Sequence, residues 1–383
     1  MNEIKVSCRN NRQLRLYIHI PFCISKCYYC DFFSHVPVKD EEEKYVSDLL
    51  LEIDGEAKKY KEYSVPSIFI GGGTPSILSA KLLQNIIEKL YADFNIEEDA
   101  EISIEMNPKT VTKEKLIAYK KMGINRLSIG MQSTNNEELI ALGRSHTYED
   151  FIHIYEQARE VGFQNINVDI MESLPGQTKK TYFETLQKIC LLNPEHISSY
   201  SLILEEGTKF YKWYVLEKEK YGGKKRPLPS EEEERELYEL TKKILKQNGY
   251  IQYEISNYAK EGYFCEHNIG YWVRDNYLGF GETASSMVNN VRWTNKREKK
   301  HILSRKEQME EFMFLGLRLM QGVSIECFEK QFSKTIYEVY GNEIEFLIKE
   351  KLIVNTKQGF LQLTSKGIDI SNFVFGKFLQ NEE

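Results

Sequence analysis

The sequence of 383 residues predicts an α/β fold, in which a partial (β/α)6 barrel of the TIM type precedes a smaller, winged-helix-like α+β domain. The barrel is predicted because short β-branched runs alternate with longer amphipathic segments from Leu14 to about Gly249, a pattern typical of repeated βα units and a parallel sheet. The second domain is predicted because helical patterns return at Arg305, after a stretch rich in Tyr, Asn and Gly.

Each of the six predicted strands is followed by a predicted helix. The strands span Leu14–Ile20, Val65–Ile70, Ala100–Glu105, Arg126–Gly130, Asn165–Met171 and His196–Leu204. The helices span Glu41–Lys61, Ser79–Tyr91, Thr112–Met122, Thr147–Val161, Lys179–Leu192 and Ser230–Asn248. Six such units make three quarters of a complete TIM barrel.

Four segments are predicted along the chain. Residues 1–13 are an N-terminal extension, residues 14–249 the barrel, residues 250–304 a loop-rich cover with a few strands, and residues 305–383 the C-terminal module. The helices of the module are predicted at Lys306–Met320, Ile325–Gln331 and Gly341–Lys351. Because acidic residues outnumber basic ones in the module, we do not expect it to bind DNA.

Composition narrows the class of protein. The formal net charge of −6 argues against an extended nucleic-acid surface, since phosphate binding depends on clustered Lys and Arg. No apolar run approaches the length of a membrane span, and the first residues lack the apolar core of a secretion signal. Seven cysteines, an odd number, fit a reducing compartment better than a disulfide framework. We therefore expect a cytoplasmic protein without a nucleic-acid partner.

Three cysteines, Cys23, Cys27 and Cys30, lie within eight residues at the spacing C-x3-C-x2-C. A structural zinc site uses four ligands, whereas three thiolates on a cubane iron–sulfur cluster leave one iron open to another ligand. A zinc knuckle and a chance grouping are the alternatives. We predict that these three cysteines hold one [4Fe–4S] cluster.

Polar motifs follow five successive predicted strands, at the edge where a TIM-type barrel carries its site. The cysteine loop follows the first strand, and a Gly-Gly-Gly-Thr-Pro run from Gly71 follows the second. Glu105 closes the third strand, Gln132 follows the fourth, and Asp169 lies within the fifth. Glycines at such a turn allow a ligand to approach the backbone closely. Tight βα turns and helix caps are the structural alternatives.

The cysteine spacing resembles the cluster loop of the radical S-adenosylmethionine (SAM) enzymes, in which the open iron binds the amino and carboxylate groups of SAM. Five motifs together resemble the oxygen-independent coproporphyrinogen III oxidase family: YIHIPFC from Tyr17, GGGTP from Gly71, GMQS from Gly130, LGRSHT from Leu142 and LPGQT from Leu174. The resemblance covers most of the chain. It implies a SAM pocket lined by Tyr17, Tyr29 through its backbone, Gly72, Gly73, Thr74, Glu105, Gln132, Arg144 and Asp169.

Two departures separate this chain from the decarboxylating oxidases of that family. Phe32 stands where the oxidases have a fourth cysteine, and the sixteen residues before Tyr17 make a shorter arm. Both features resemble the haem chaperone branch, HemW. That branch implies haem as cargo, with haem-acceptor proteins and an electron donor such as flavodoxin as partners. A dimer and peripheral membrane association through an acceptor are both compatible with that branch. The alternative is a coproporphyrinogen III dehydrogenase or another porphyrin-directed radical SAM enzyme.

His267 opens the run HNIGYW, which matches a His-Asn-x-x-Tyr-Trp motif of the chaperone branch. The resemblance implies a haem ligand there, because neutral imidazole binds haem iron and the aromatic residues offer an apolar face. The structural alternative is a hydrogen-bonding histidine in a loop, and Cys265 is the competing ligand nearby. Two positions depart from the branch pattern, since Ser173 replaces a usual glycine and Ser285 a frequent histidine.

Overall fold

The computed structural model describes residues 12–218, 226–295 and 299–379. The six strands predicted from the sequence all form: β1 Leu14–Ile20, β2 Ser64–Gly72, β3 Asn95–Met106, β4 Arg126–Gln132, β5 Ile166–Glu172 and β6 His196–Ser201. They lie side by side in chain order, and each neighbouring pair is parallel. This arrangement confirms the predicted α/β class and the partial barrel.

Helices follow the strands and cover them. They are α1 Glu41–Ala57, α2 Ala80–Asp93, α3 Lys113–Lys121, α4 Asn136–Leu142, α5 Tyr148–Val161, α6 Lys179–Leu192, α7 Lys209–Tyr211 and α8 Glu231–Gln247. Most begin directly after a Ser or Thr whose side chain accepts a backbone N–H of the first turn, as N-caps do. These caps are Ser79, Thr112, Thr147, Thr178, Thr208 and Ser230. Aliphatic residues of strands and helices form one buried core between the two layers.

In residues 250–304, for which the sequence predicts a loop-rich cover with a few strands, the described part contains strands that extend the barrel sheet. Their described part contains β7 Ile251–Gln252, β8 Asn257–Ala259, α9 Glu266–Trp272, β9 Asn276–Phe280, β10 Ser285–Val288, β11 Val291–Thr294 and β12 His301–Ile302. β9 pairs in parallel with β1, and β8 pairs antiparallel to β6. The spatial order is therefore β12-β11-β10-β9-β1-β2-β3-β4-β5-β6-β8-β7.

The HNIGYW run lies in helix α9, not in a loop as the sequence reading assumes. The first turn of α9 is fixed by Glu101 of β3, whose carboxylate accepts the N–H groups of Glu266 and His267 at 3.1 and 3.2 Å. A carboxylate at a helix N-terminus satisfies free N–H groups and the positive end of the dipole. Helix α9 thus packs against the inner face of the sheet.

The C-terminal module is a separate α+β unit with its own core. It contains α10 Arg305–Gly316, β13 Val323–Ser324, α11 Ile325–Phe332, α12 Ile336–Lys349, β14 Ile353–Asn355, β15 Phe360–Leu363, α13 Ser365–Asp369 and α14 Ser371–Gly376. Its three strands form a small antiparallel sheet in the order β13-β15-β14. The module contacts α9 and the residues that follow it, because Arg318 lies 4.4 Å from the Trp272 ring centroid and Arg274 pairs with Glu311 at 2.9 Å.

Two further expectations concern membrane-spanning segments and the state of the cysteines. Among the described residues, no helix combines the length and apolarity required to span a membrane. The thiols of Cys23, Cys27 and Cys30 are free, as are those of Cys190 and Cys265, whereas Cys327 is disulfide-bonded. The three clustered cysteines are therefore available as ligands.

Candidate functional site

A cavity of about 520 Å³ opens at the carboxyl ends of the barrel strands. Every predicted site residue lines it: Tyr17, Cys23, Cys27, Tyr29, Cys30, Gly72, Gly73, Thr74, Glu105, Gln132, Arg144, Asp169 and His267. A second cavity, of about 600 Å³ between α1 and the β9–β11 region, contains none of them. Residues that are up to 250 positions apart in the sequence (Tyr17 to His267) therefore share one chamber.

The cysteine loop is anchored on both sides of the cavity mouth. Cys23 N–H donates to the His35 carbonyl at 2.8 Å, and Tyr28 N–H donates to the Leu142 carbonyl at 3.0 Å. Cys23 Sγ lies 3.4 Å from Thr74 Oγ1 in the glycine-rich loop. Arg144 Nη1 donates to Cys27 Sγ at 3.7 Å. These contacts hold two of the three sulfurs of the loop at the cavity mouth.

The donor set fits an iron–sulfur cluster better than a mononuclear metal. Within the described ranges, no three His, Cys, Asp or Glu side chains are close enough together to hold a metal ion. A cubane carries its own irons at separate corners, so its thiolates need not meet at one point. The three half-buried free thiols around one mouth match that requirement.

The glycine-rich loop allows β2 to end close beside β1. Gly72 has φ +111°, and a Cβ at this position would lie 2.5 Å from the His19 ring. A Cβ on Gly73 would lie 2.6 Å from the Phe22 carbonyl oxygen. The N–H groups of Gly72 and Gly73 already donate to Glu105 Oε2 and to the Ile20 carbonyl. The loop therefore offers a ligand its carbonyl oxygens, which suit an ammonium group.

Two carboxyl groups, those of Glu105 and Asp169, lie deeper in the cavity. Burial, together with the smaller effect of the neighbouring Asp169 carboxyl, raises the pKa of Glu105 to about 8. Burial also raises the pKa of Asp169, although Asn167 Nδ2 and Ser128 Oγ donate to its carboxylate at 2.7 and 3.2 Å. Buried carboxyls that line a cavity suit an ammonium or paired hydroxyls of a ligand.

Gln132 and Arg144 carry polar atoms without a partner. Gln132 has φ +68°, a conformation that costs a non-glycine residue about 1–3 kcal/mol. Its Oε1 is buried and makes no hydrogen bond, and the same is true of Arg144 Nε. Arg144 Nη2 donates to the Gly130 carbonyl at 2.8 Å, which fixes the guanidinium at the cavity wall. Orphaned buried atoms of this kind mark a place for a ligand.

The aromatic residues of the mouth have structural partners. Tyr17 Oη lies 3.0 Å from His19 Nδ1, and His19 Nε2 lies 3.0 Å from the Phe33 carbonyl oxygen. Tyr29 packs against Phe210, which follows β6. Phe32, at the position of the oxidases' fourth cysteine, is 62% exposed at the cavity rim. No side chain able to bind a metal therefore stands at that position.

His267 lies at the opposite end of the cavity, on α9. The Oγ of Ser67 lies 3.0 Å from its Nδ1, and the Oη of Tyr271 lies 2.9 Å from its Nε2. Burial lowers the pKa of the imidazole well below its usual value, so the ring is neutral. The competing ligand Cys265 is also buried, with its thiol 3.4 Å from Glu101. Both nitrogens of His267 thus have protein partners.

Sequence reasoning missed several residues of the cavity wall. They are Arg126, Ser128, Asn167, Met171, Ser198 and Tyr200. All lie on β4, β5 or β6 at two-residue intervals from one another or from predicted residues, so they share the inner face of the sheet. Applying the two-residue period to each strand that carries a motif would have identified them.

Comparisons with known proteins identify the family. The model of the radical SAM superfamily matches residues 17–189, and that of the HemN C-terminal domain matches residues 303–370. "Heme chaperone HemW" of Lactococcus lactis is 35% identical over 96% of this chain and 97% of its own length. The chain belongs to the HemW family. The HemW proteins of Bacillus subtilis and Escherichia coli are 35% and 38% identical over 95% and 72% of this chain, and cover 98% and 70% of their own lengths.

A solved structure supports the fold independently. Coproporphyrinogen III oxidase (HemN) of Escherichia coli, a radical SAM enzyme, matches with a TM-score of 0.82 over 96% of this chain and 90% of its own. At 24% identity, this match bears on the fold alone. The predicted radical SAM barrel with a HemN-type C-terminal domain is confirmed.

Proposed function

We propose that this chain is a haem chaperone that holds a [4Fe–4S] cluster, binds SAM and delivers haem to acceptor proteins. The observation that carries the proposal is the convergence of three free cysteines and the strand-end polar groups on one cavity. Membership of the HemW family supports haem as the cargo. We place this function in the cytoplasm, with a reduced electron donor such as flavodoxin as a further partner.

Cys23, Cys27 and Cys30 would hold the cluster at the mouth. When bound, such a cluster supplies an open iron position and an electron. Arg144 would position the Cys27 sulfur through its contact at 3.7 Å.

The remaining predicted residues would hold SAM. The carbonyl oxygens of Gly72, Gly73 and Thr74 would accept from the SAM ammonium group, and Arg144 would face its carboxylate. Asp169, Gln132 and Glu105 would bind the ammonium and ribose hydroxyls. Tyr17 would line the SAM pocket, and Tyr29 would contribute through its backbone.

His267 is the proposed haem ligand, but its Nε2 atom already has a hydrogen-bond partner. Nε2 lies 2.9 Å from Tyr271 Oη, so iron could bind there only after this hydrogen bond breaks. The two residues therefore make a matched pair of variants. His267→Ala should weaken haem binding and shift the Soret band, whereas Tyr271→Phe should free Nε2 and strengthen binding. A Soret band and a haem affinity that respond to neither variant would exclude His267.

The enzyme alternative predicts a different product. We expect no decarboxylation of coproporphyrinogen III, because Phe32 stands where the oxidases have a fourth cysteine. The test offers coproporphyrinogen III and haem side by side to the anaerobically reconstituted protein, with SAM and a reductant present. We expect stable haem binding and transfer of haem to an apo-acceptor, without vinyl-bearing product. Formation of protoporphyrinogen IX would show that the chain is a coproporphyrinogen III dehydrogenase instead.

A further inference from the structure

Gln132 reaches the cavity from a strained turn at the end of β4. Ser133 N–H donates to the Met131 carbonyl at 2.9 Å, and the residue between them has φ +68°. A hydrogen bond across two residues with a positive central φ is the γ-turn form that is rare in proteins. Such a conformation persists only where surrounding contacts over-determine it. The contacts that hold this turn are therefore part of the site.

The contact that holds it comes from Glu138, in the first helical turn of α4. Ser133 Oγ donates to Glu138 Oε2 at 2.6 Å. The Glu138 side chain is buried, with the residue only 1% exposed. A short hydrogen bond to a buried carboxylate is stronger than one between neutral groups. The bond therefore holds the side chain of Ser133, the residue that closes the γ-turn and whose Oγ also accepts the Asn135 N–H at 2.9 Å.

The same carboxylate also binds the neighbouring strand-end segment. Gln177 Nε2 donates to Glu138 Oε2 at 3.1 Å, and Thr181 Oγ1 donates to Oε1 at 2.7 Å. Both donors lie after β5, in the LPGQT loop and the first turn of α6. Three donors from two strand-end segments thus meet on one carboxylate. Glu138 does not line the cavity, so it can act on a ligand only through these partners.

We infer that Glu138 is a positioning residue for SAM, which holds the Gln132 amide in the cavity through Ser133. The inference rests on the proposed SAM site. Without the bond to Ser133, the γ-turn can relax to a more ordinary backbone conformation. The Gln132 Oε1, buried and unpartnered in the structure, would then leave its position in the cavity. SAM affinity would fall although no residue of the pocket had changed.

The test compares two hydroxyls that bind the same carboxylate. Ser133→Ala removes the donor at 2.6 Å on the side of Gln132, and Thr181→Ala removes the donor at 2.7 Å on the side of α6. SAM affinity is measured anaerobically on the cluster-loaded protein by the change in the reduced cluster's electron paramagnetic resonance spectrum. We expect Ser133→Ala and Glu138→Gln to weaken SAM binding about tenfold, and Thr181→Ala to change it less than twofold.

A double-mutant cycle with Gln132→Ala separates positioning from general damage. If Glu138 acts through Gln132, Ser133→Ala should weaken SAM no further in a Gln132→Ala background. Thermal unfolding of each variant without cluster or SAM shows whether lost stability accompanies lost affinity. Ser133→Ala provides the result even if Glu138→Gln does not fold.

Two results would overturn the inference. Equal effects of Ser133→Ala and Thr181→Ala, or additive effects of Ser133→Ala and Gln132→Ala, would make Glu138 a structural residue only. Neither of these results would contradict the proposed SAM site. Failure of the cluster-loaded wild-type protein to bind SAM is a distinct result, which would overturn the proposed function and this inference together.

Discussion

The two ends of the cavity differ in whether the side chains proposed to bind a ligand already have protein partners. At the mouth, Gln132 Oε1 and Arg144 Nε are buried without a hydrogen-bond partner. At the floor, both ring nitrogens of His267 have protein partners within 3.0 Å. The mouth can therefore accept a polar ligand without rearrangement. A ligand that binds His267 must first displace Tyr271.

The largest effect should come from removing the cysteines at the mouth. Replacing Cys23, Cys27 and Cys30 by Ala together should abolish iron and sulfide content and, with them, SAM binding, because no other described cysteine lines the cavity. Iron and sulfide analysis after anaerobic reconstitution makes the measurement. Cys190→Ala, at a free and half-buried thiol outside the cavity, is the control and should keep full content. A triple variant with wild-type content would show that the cluster lies elsewhere.

The next largest effect should be a loss of SAM affinity when a carboxyl of the cavity is removed. At a pH above about 8, where Glu105 is ionised, Glu105→Gln and Asp169→Asn should each weaken SAM binding by roughly 1.5–3 kcal/mol, about tenfold or more, because each removes a charge-assisted hydrogen bond. Calorimetry on the cluster-loaded protein gives the affinities. Glu172→Gln is the matched control, since Glu172 is a buried carboxyl that does not line the cavity and that accepts from Ser201 and Thr241. Unchanged affinity in both cavity variants would place SAM elsewhere.

The pH dependence of stability gives a smaller effect at the same site. Burial raises the pKa of Glu105 from 4.5 to about 8. Between these values the folded protein binds more protons at Glu105 than the unfolded chain does, so its contribution to stability falls as pH rises. Glu105→Gln removes this dependence and should gain in melting temperature relative to wild type from pH 5 to pH 8. A constant difference across that range would show that Glu105 titrates normally.

The smallest effect is expected at Ser173, beside the LPGQT loop. Ser173 has φ +62°, and its Oγ is buried without a partner. Glycine adopts this conformation without the penalty of a Cβ, so Ser173→Gly should stabilise the protein by about 1 kcal/mol. Chemical denaturation measures the change. Ser103→Gly, in β3 at an ordinary strand conformation, should destabilise instead, and a loss of stability at both positions would contradict the argument.

The mouth and the floor of the cavity also differ in how well the sequence predicts them. The strand-end motifs were predictable because βα repeats place the carboxyl ends of parallel strands at one edge. All of the residues predicted in this way line one cavity. The helical state of His267 was not predictable, because the cap of α9 is supplied by Glu101, more than 160 residues earlier in the chain. Cys265, which precedes α9, makes no side-chain capping hydrogen bond, so the local sequence does not indicate where that helix begins.

Errors at element boundaries have a similar cause, but one of them was avoidable. The short strands between residues 250 and 304 contain two to five residues each and form only by pairing with the barrel sheet. Their local sequence therefore carries little strand signal. Helix α12 is interrupted by the non-helical backbone of Tyr340, so the helix predicted from Gly341 is its second segment, whereas the first segment, which begins at Ile336 after a capping box of Thr335 and Glu338, was missed. That Thr-x-x-Glu pattern is readable in the sequence.

The most direct test of the account is a SAM titration of the reduced, cluster-loaded protein, followed by electron paramagnetic resonance. The central claim is that the open mouth of the cavity holds both the cluster and SAM. One equivalent of SAM should therefore change the cluster spectrum to saturation, and Arg144→Leu or Asp169→Asn should raise the concentration required. A cluster spectrum that does not respond to SAM, in protein with full iron and sulfide content, would contradict the claim.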